Sequence, residues 1–239
     1  MKPLLSTSQD SNSLQALGRA SVQIIHDLKN QLNGLKLYAT FLRKRLEKNE
    51  RPADEQETVA KLIAGLERAA ADLSTIVQYG RPLELKKQPG IDIQKLVRNA
   101  CSSLNEAGQA AGSLAGSIIV ESASSVWCGE YDPTLLADAF RSISQGALKM
   151  SRQQTDPRPV MVRFIKELNE VPTAVVEWSG INHSDHDPFR SFAGSDEIRM
   201  SLAAKVIEAH GGSATCVDGL LRVKLPLSDD KQFRVEEPI

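Results

Sequence analysis

The stretch "IIHDLKNQLNGL", residues 24–35, decides how the first third of the chain is read. Its Leu28, Leu32 and Leu35 continue a pattern that starts at Leu14 and Leu17 and runs through Ile24 to Leu42, at steps of three, four and seven. That period gathers apolar side chains on one side of an α-helix. No proline interrupts it from Leu14 to about Lys48, the only glycines are Gly18 and Gly34, and Ser11 or Ser13 can cap its start. At about 100° per residue, His26 lies almost opposite the expected core stripe of Leu28, Leu35 and Leu42. It therefore faces outward with Val22, Asn30, Asn33 and Leu37.

An exposed imidazole with Asp27 beside it and Asn30 one turn on is chemically usable. The carboxylate can fix the tautomer and take up the Nδ1 proton, leaving Nε2 as a nucleophile near neutral pH. Asn30 can orient a water or a phosphoryl oxygen. Val22 and Leu37 are apolar on an otherwise polar face, which suits docking of a partner, with Asn33 between them. A lone surface histidine is most often only solvated, so the spacing by itself leaves both readings open.

Downstream, "NERPADEQE" (49–57) breaks the pattern with Pro52 and a cluster of acids suited to a helix N-terminus. A second helical pattern follows in Val59, Leu62, Ile63, Leu66, Ala70, Leu73, Ile76 and Val77, ending at "YGRP" (79–82). Two long helices joined by a short polar link make an antiparallel hairpin. Each has apolar residues to spare, so two copies are expected to pair as a four-helix bundle.

The texture changes after Pro82. "LELKKQ" (83–88) alternates like a strand, and "IDIQKLVRNACSSL" is helical with Asp92 near its start. "SIIVES" and "SVWCGE" read as strands, and "DPTLLADAFRSISQGALKMS" as a helix with Asp132 at the N-cap and Pro133 at its first position. "PVMVRFIKEL" and "TAVVEWSG" look like a hairpin, "SDEIRMSLAAKVIEAHGG" is a helix closed by glycine, and "ATCV" and "LLRVKLPL" finish as strands. The fold class is thus α+β: a helical hairpin, then an α/β sandwich with helices on one face of a mixed sheet. The expected divisions are a tail at 1–12, the hairpin at 13–82, the sandwich at 83–227 and a tail at 228–239.

The totals narrow the function classes. With 29 basic and 30 acidic residues among 239, the net charge of −1 argues against nucleic acid or an anionic membrane surface as main partner. Three scattered cysteines, Cys101, Cys128 and Cys216, form no CxxC pair and suit buried free thiols in a reducing compartment. No apolar run is long enough for a membrane span or a secretory signal, and a cytoplasmic location is expected.

"HDLKNQLNGLKLYATFL" resembles the H-box of two-component sensor histidine kinases, in which an acid follows the histidine and an asparagine comes four residues later. "YGRP" is similar to the segment closing that family's dimerisation and phosphotransfer domain, and "YDPTLLADAFRSISQGALKMS" to the helix carrying its N-box. "FRSF" resembles its F-box, and "KVIEAHGGSATCVDGLLRVKLPL" the usual end of its ATP-binding domain. These matches span residues 14 to 227 in the family's order. The resemblance implies a homodimer in which His26 is the phospho-acceptor and a response-regulator receiver domain the partner.

The chain departs from the family at the nucleotide positions. Gly146 stands where the N-box asparagine holds magnesium, and Ser142 at the earlier polar position. In "VVEWSGI" only Glu177 offers a carboxylate, one step out of place, and Glu197 and Arg199 stand where glycines should cradle phosphate. The expectation is therefore no cofactor, with ATP and magnesium unlikely and ATP-dependent autokinase activity lost. The function expected is a histidine phosphotransferase of a phosphorelay, shuttling a phosphoryl group between His26 and a receiver aspartate. The alternatives are a divergent active kinase and a non-catalytic dimeric adaptor that binds a response regulator.

Other candidates read more plainly. His183, Asp185, His186 and Asp187 are dense enough to bind a cation, but with no distant donor they read as a solvated loop and no metal site is expected. His210, before Gly211 and Gly212, reads as a cation capping a helix C-terminus. Trp127 and Trp178 read as core residues of strands.

Overall fold

The computed structural model describes residues 25, 28–30, 32–44, 53–110, 117–122, 126–153, 158–168, 170–182, 187–192 and 195–228. It divides into two compact units, Met1–Pro82 and Leu83–Ile239.

In the first unit, residues 28–30 and 32–44 are helical (α1), and Ala53–Gly80 form the long helix α2. The covered side of α1 carries Leu32, Lys36, Ala39 and Arg43, at helical spacing, with Ala39 fully buried. From that side Lys36 Nζ reaches Glu67 Oε1 on α2 at 2.7 Å. On α2, Ile63 and Val77 are buried. The expected core stripe lies elsewhere: Leu28, Leu35 and Leu42 are 44%, 53% and 53% exposed. Their row sits beside the covered side of α1, about a fifth of a turn round the helix.

The second unit is a mixed α+β structure. A five-stranded sheet has the order β2-β4-β5-β7-β6, from Ile118–Val120 (β2), Val160–Leu168 (β4), Pro172–Ser179 (β5), Ser213–Val217 (β6) and Leu220–Pro226 (β7). β2 and β4 are parallel and the other neighbours antiparallel. The inward residues Val160, Val162, Val176, Trp178, Leu221, Val223 and Leu225 alternate as a strand period requires. They pack in one core with three helices, α3 (Ile93–Ala110), α4 (Pro133–Arg152) and α5 (Ser195–Ala209). The outward face carries the apolar pair Ile165 and Val175 and three charge pairs: Arg163 meets Glu121, Arg222 meets Glu177, and Lys224 meets Glu167.

Two strands fall differently from the sequence expectation. Residues 83–87 form no strand; β1 is Gln88–Asp92, interrupted by a bulge at Pro89 and Gly90, where Gly90 has φ 72°. β3 is Cys128–Tyr131 and pairs with β1 in a separate two-stranded sheet, so Trp127 precedes its strand. The alternation in "LELKKQ" comes from a strap instead, anchored where the Lys86 amide donates to Asp132 Oδ2 at 2.9 Å. Among the described residues no helix is long and apolar enough to cross a membrane.

Candidate functional site

Of the residues expected at the phosphotransfer site, Val22, His26 and Asp27 lie outside the described residues. Asn30, Asn33 and Leu37 are on α1 and all are exposed, Leu37 by 56%. Their spacing of three, four and seven places them on one side of the helix, away from Ala39. Tyr38 and Phe41, 69% and 62% exposed, widen this into an apolar surface that spacing alone did not single out. The signal was present in "LYATFL", where aromatic residues occupy positions off the leucine stripe.

In the second unit, α4 carries the positions aligned with the N-box. Asp132 caps it, accepting from the Thr134 and Leu135 amides at 3.1 and 3.0 Å, and Pro133 fills the first turn. Ser142 is half-buried and Gly146 is buried against α5, where an added Cβ would stand 2.3 Å from Met200 Sδ. Glycine at this position lets α4 and α5 approach each other. At the same end Lys149 Nζ contacts Asp196 Oδ2 at 2.7 Å, and Arg199 Nη1 lies 3.7 Å from Asp196 Oδ1. The hydrogen bond it donates to Asp196 raises the Lys149 pKa above its ordinary value, keeping it charged. These two cations are the groups here that suit an anion, with Asp196 competing for them. A separation of 47 residues hid the Lys149–Asp196 pair from any local reading.

The carboxylate of Glu177 does not enter the core. It lies on the outward face of β5, opposite Arg163 and Arg222, and accepts from Arg222 Nε at 2.7 Å. The inward neighbour Trp178 is fully buried, its Nε1 donating to Ser144 Oγ at 3.0 Å and its ring stacked on Phe140. Ser144 also lies 3.6 Å from Cys101 Sγ, and burial pushes that thiol's pKa up. Trp127 and Trp178 are both buried, as expected of core residues.

His210 corrects its expected role. It is 3% exposed, with Nδ1 2.8 Å from Val206 O and Nε2 accepting from the Asp132 amide at 3.0 Å. A carbonyl only accepts and an amide N–H only donates, so the ring is neutral with its proton on Nδ1. Burial lowers its pKa, and nearby Lys87 adds to that, while the Val206 carbonyl and Asp132 oppose it. The ring is a buried hydrogen-bond bridge rather than a capping cation. His183, Asp185 and His186 lie outside the described residues, and Asp187 Oδ1 accepts from the Phe189 amide at 3.0 Å.

No family model matches the sequence, and no characterised protein is significantly similar to it in sequence. In three dimensions the chain is similar to full-length ShkA solved in complex with AMPPNP, at a TM-score of 0.59 and 17% identity over 86% of this chain. It spans 45% of the length of that protein. It is also similar to the histidine kinase AdeS of Acinetobacter baumannii, at a TM-score of 0.54 and 13% identity, over 81% of this chain and 96% of AdeS.

This likeness corrects the expectation of no cofactor with ATP and magnesium unlikely. A neighbour sharing the fold was solved with the nucleotide analogue AMPPNP bound. The differences at Gly146, Glu197 and Arg199 leave the architecture of the domain standing, so three altered positions do not exclude a nucleotide. At these identities the likeness is one of fold, shared with ShkA and with the histidine kinase AdeS.

Proposed function

We propose that this chain is a two-component signalling protein of the histidine-kinase type, a homodimeric four-helix bundle in which His26 exchanges a phosphoryl group with a receiver aspartate. The observation that carries the reading is the exposed face of α1 just past His26, where Asn30, Asn33 and Leu37 stand together clear of the covered side. In the transfer step, the Nε2 lone pair of His26 forms a bond to phosphorus as the bond from phosphorus to the aspartyl oxygen breaks. The electron pair returns to the receiver carboxylate. Asp27 takes up the Nδ1 proton, and Asn30 steadies a phosphoryl oxygen. The fold likeness to ShkA, solved with AMPPNP, favours a second reading, in which His26 is first phosphorylated from ATP.

One experiment separates these readings. The purified chain is incubated with labelled ATP and, separately, with a phosphorylated receiver, and label on His26 is followed against His26→Ala. Label from the receiver alone supports the phosphotransferase. Label from ATP makes the chain an active kinase. Label from neither, with the receiver still bound, leaves the non-catalytic adaptor.

A further inference from the structure

His210 stands where three segments of the α/β unit meet. It directly follows α5, and its ring packs on Tyr131, the last residue of β3, with centroids 5.9 Å apart. Nε2 accepts from the Asp132 amide at the head of α4. The side chain of Asp132 in turn holds the strap 83–87, through the Lys86 amide on Oδ2 at 2.9 Å. That strap is the first chain segment after Pro82, where the first compact unit ends.

The arrangement works only while Nε2 is bare. A proton there would set two donors facing each other, because the Asp132 amide cannot accept. The imidazolium would need a new acceptor, and the acid facing it is Asp132 itself. Its oxygens are already engaged by the amides of Thr134, Leu135 and Lys86. Of these, Lys86 alone is long-range in sequence, and the other two are fixed by the helix they begin. We infer that His210 is an acid-operated latch: protonation draws the Asp132 carboxylate off the Lys86 amide and loosens the strap at Lys86, in the first segment of the second unit.

The groups around the ring set the direction. Lys87 on the strap opposes protonation and Asp132 at the head of α4 favours it; α5 contributes the Val206 carbonyl. The Tyr131 hydroxyl donates to the Pro226 carbonyl, and burial raises its pKa, so it stays neutral. Burial, the largest influence on His210, keeps the ring neutral at neutral pH, so the latch is closed there and opens only in acid.

The test is nuclear magnetic resonance of the full chain from pH 8 to 5. The four histidines, His26, His183, His186 and His210, are assigned by substituting the first three with glutamine. The expected result is that the His210 ring titrates below about 6.5 and that the Lys86 amide shifts with the same midpoint. Lys86 exchange protection, corrected for intrinsic chemistry, should fall by roughly tenfold or more while core strands stay protected. Three results overturn the latch: a His210 ring that does not titrate above pH 5, a Lys86 amide indifferent to its titration, or loss of protection in β5 and β7 together with the strap.

Discussion

Gly146 and Gly212 both lack room for a side chain, but what crowds them differs. At Gly146 an added Cβ would meet Met200 Sδ, the end of a flexible side chain that can turn aside. At Gly212 it would stand 2.2 Å from the backbone oxygen of Lys224, and that carbonyl lies in β7 where it pairs with β6. Gly146→Ala should therefore cost about 1 kcal/mol and Gly212→Ala the upper end of the ~1–3 kcal/mol range for overpacking, or more. Urea midpoints of the two variants check the order, and the explanation fails if Gly146→Ala is the worse. At His26 the expected effects are chemical. His26→Ala should stay folded and lose all transfer, while Asp27→Asn should slow transfer by ~10²–10⁴-fold without abolishing receiver binding. Single-turnover transfer from a phosphorylated receiver measures both, and an Asp27→Asn rate equal to wild type would remove the carboxylate from the mechanism.

The head of α4 shows how one element can anchor others. Asp132 was legible in the sequence as an N-cap because Pro133 follows it, and the cap is there. That the same carboxylate also holds Lys86, and its amide His210, was not legible, because 46 and 78 residues separate the partners. Burial pushes the Asp132 pKa up, but the hydrogen bonds from the amides of Leu135, Lys86 and Thr134 outweigh it and hold the carboxyl below its ordinary value. A depressed folded pKa means the contribution is complete above the unfolded value of about 3.9 and is lost as the pH falls through the folded one. Asp132→Ala should cost about 2 kcal/mol at neutral pH, the upper end for a cap, and the difference from wild type should shrink below pH 4. Thermal unfolding across pH measures this, and a difference constant with pH would refute the charged cap. Other elements separate the same way. The helices and the β4–β5 hairpin follow from period and turn residues, whereas β1 was displaced because Pro89 and Gly90 mask a strand that exists only through its pairing with β3. The nucleotide positions were aligned residue by residue, yet the fold is carried by core positions of the sheet that such an alignment leaves out of account, among them Val162, Trp178, Leu221, Val223 and Leu225.

On the scale of the whole molecule, the described residues of the first unit leave large apolar side chains uncovered on both helices. Leu28, Leu35 and Leu42 form one exposed row along α1, and Leu62 on α2 is 52% exposed. Scattered exposed leucines are ordinary, but a row of them along one helix suits an interface. Burying a large apolar side chain stabilises by about 1.5–3 kcal/mol, so a few such residues from each copy would hold a dimer at micromolar concentration. The sequence showed the surplus and read the leucine row as the core stripe, whereas Ala39 is the residue of α1 that is buried. Leu37 lies about half a turn from that row, and this separation makes the two faces testable apart. Leu35→Asp with Leu42→Asp should turn a dimer into a monomer by light scattering, whereas Leu37→Asp should leave the dimer intact and weaken receiver binding. A wild-type monomer at micromolar concentration, or a dimer dissociated by Leu37→Asp, would mean that the leucine row is not the surface on which two copies meet.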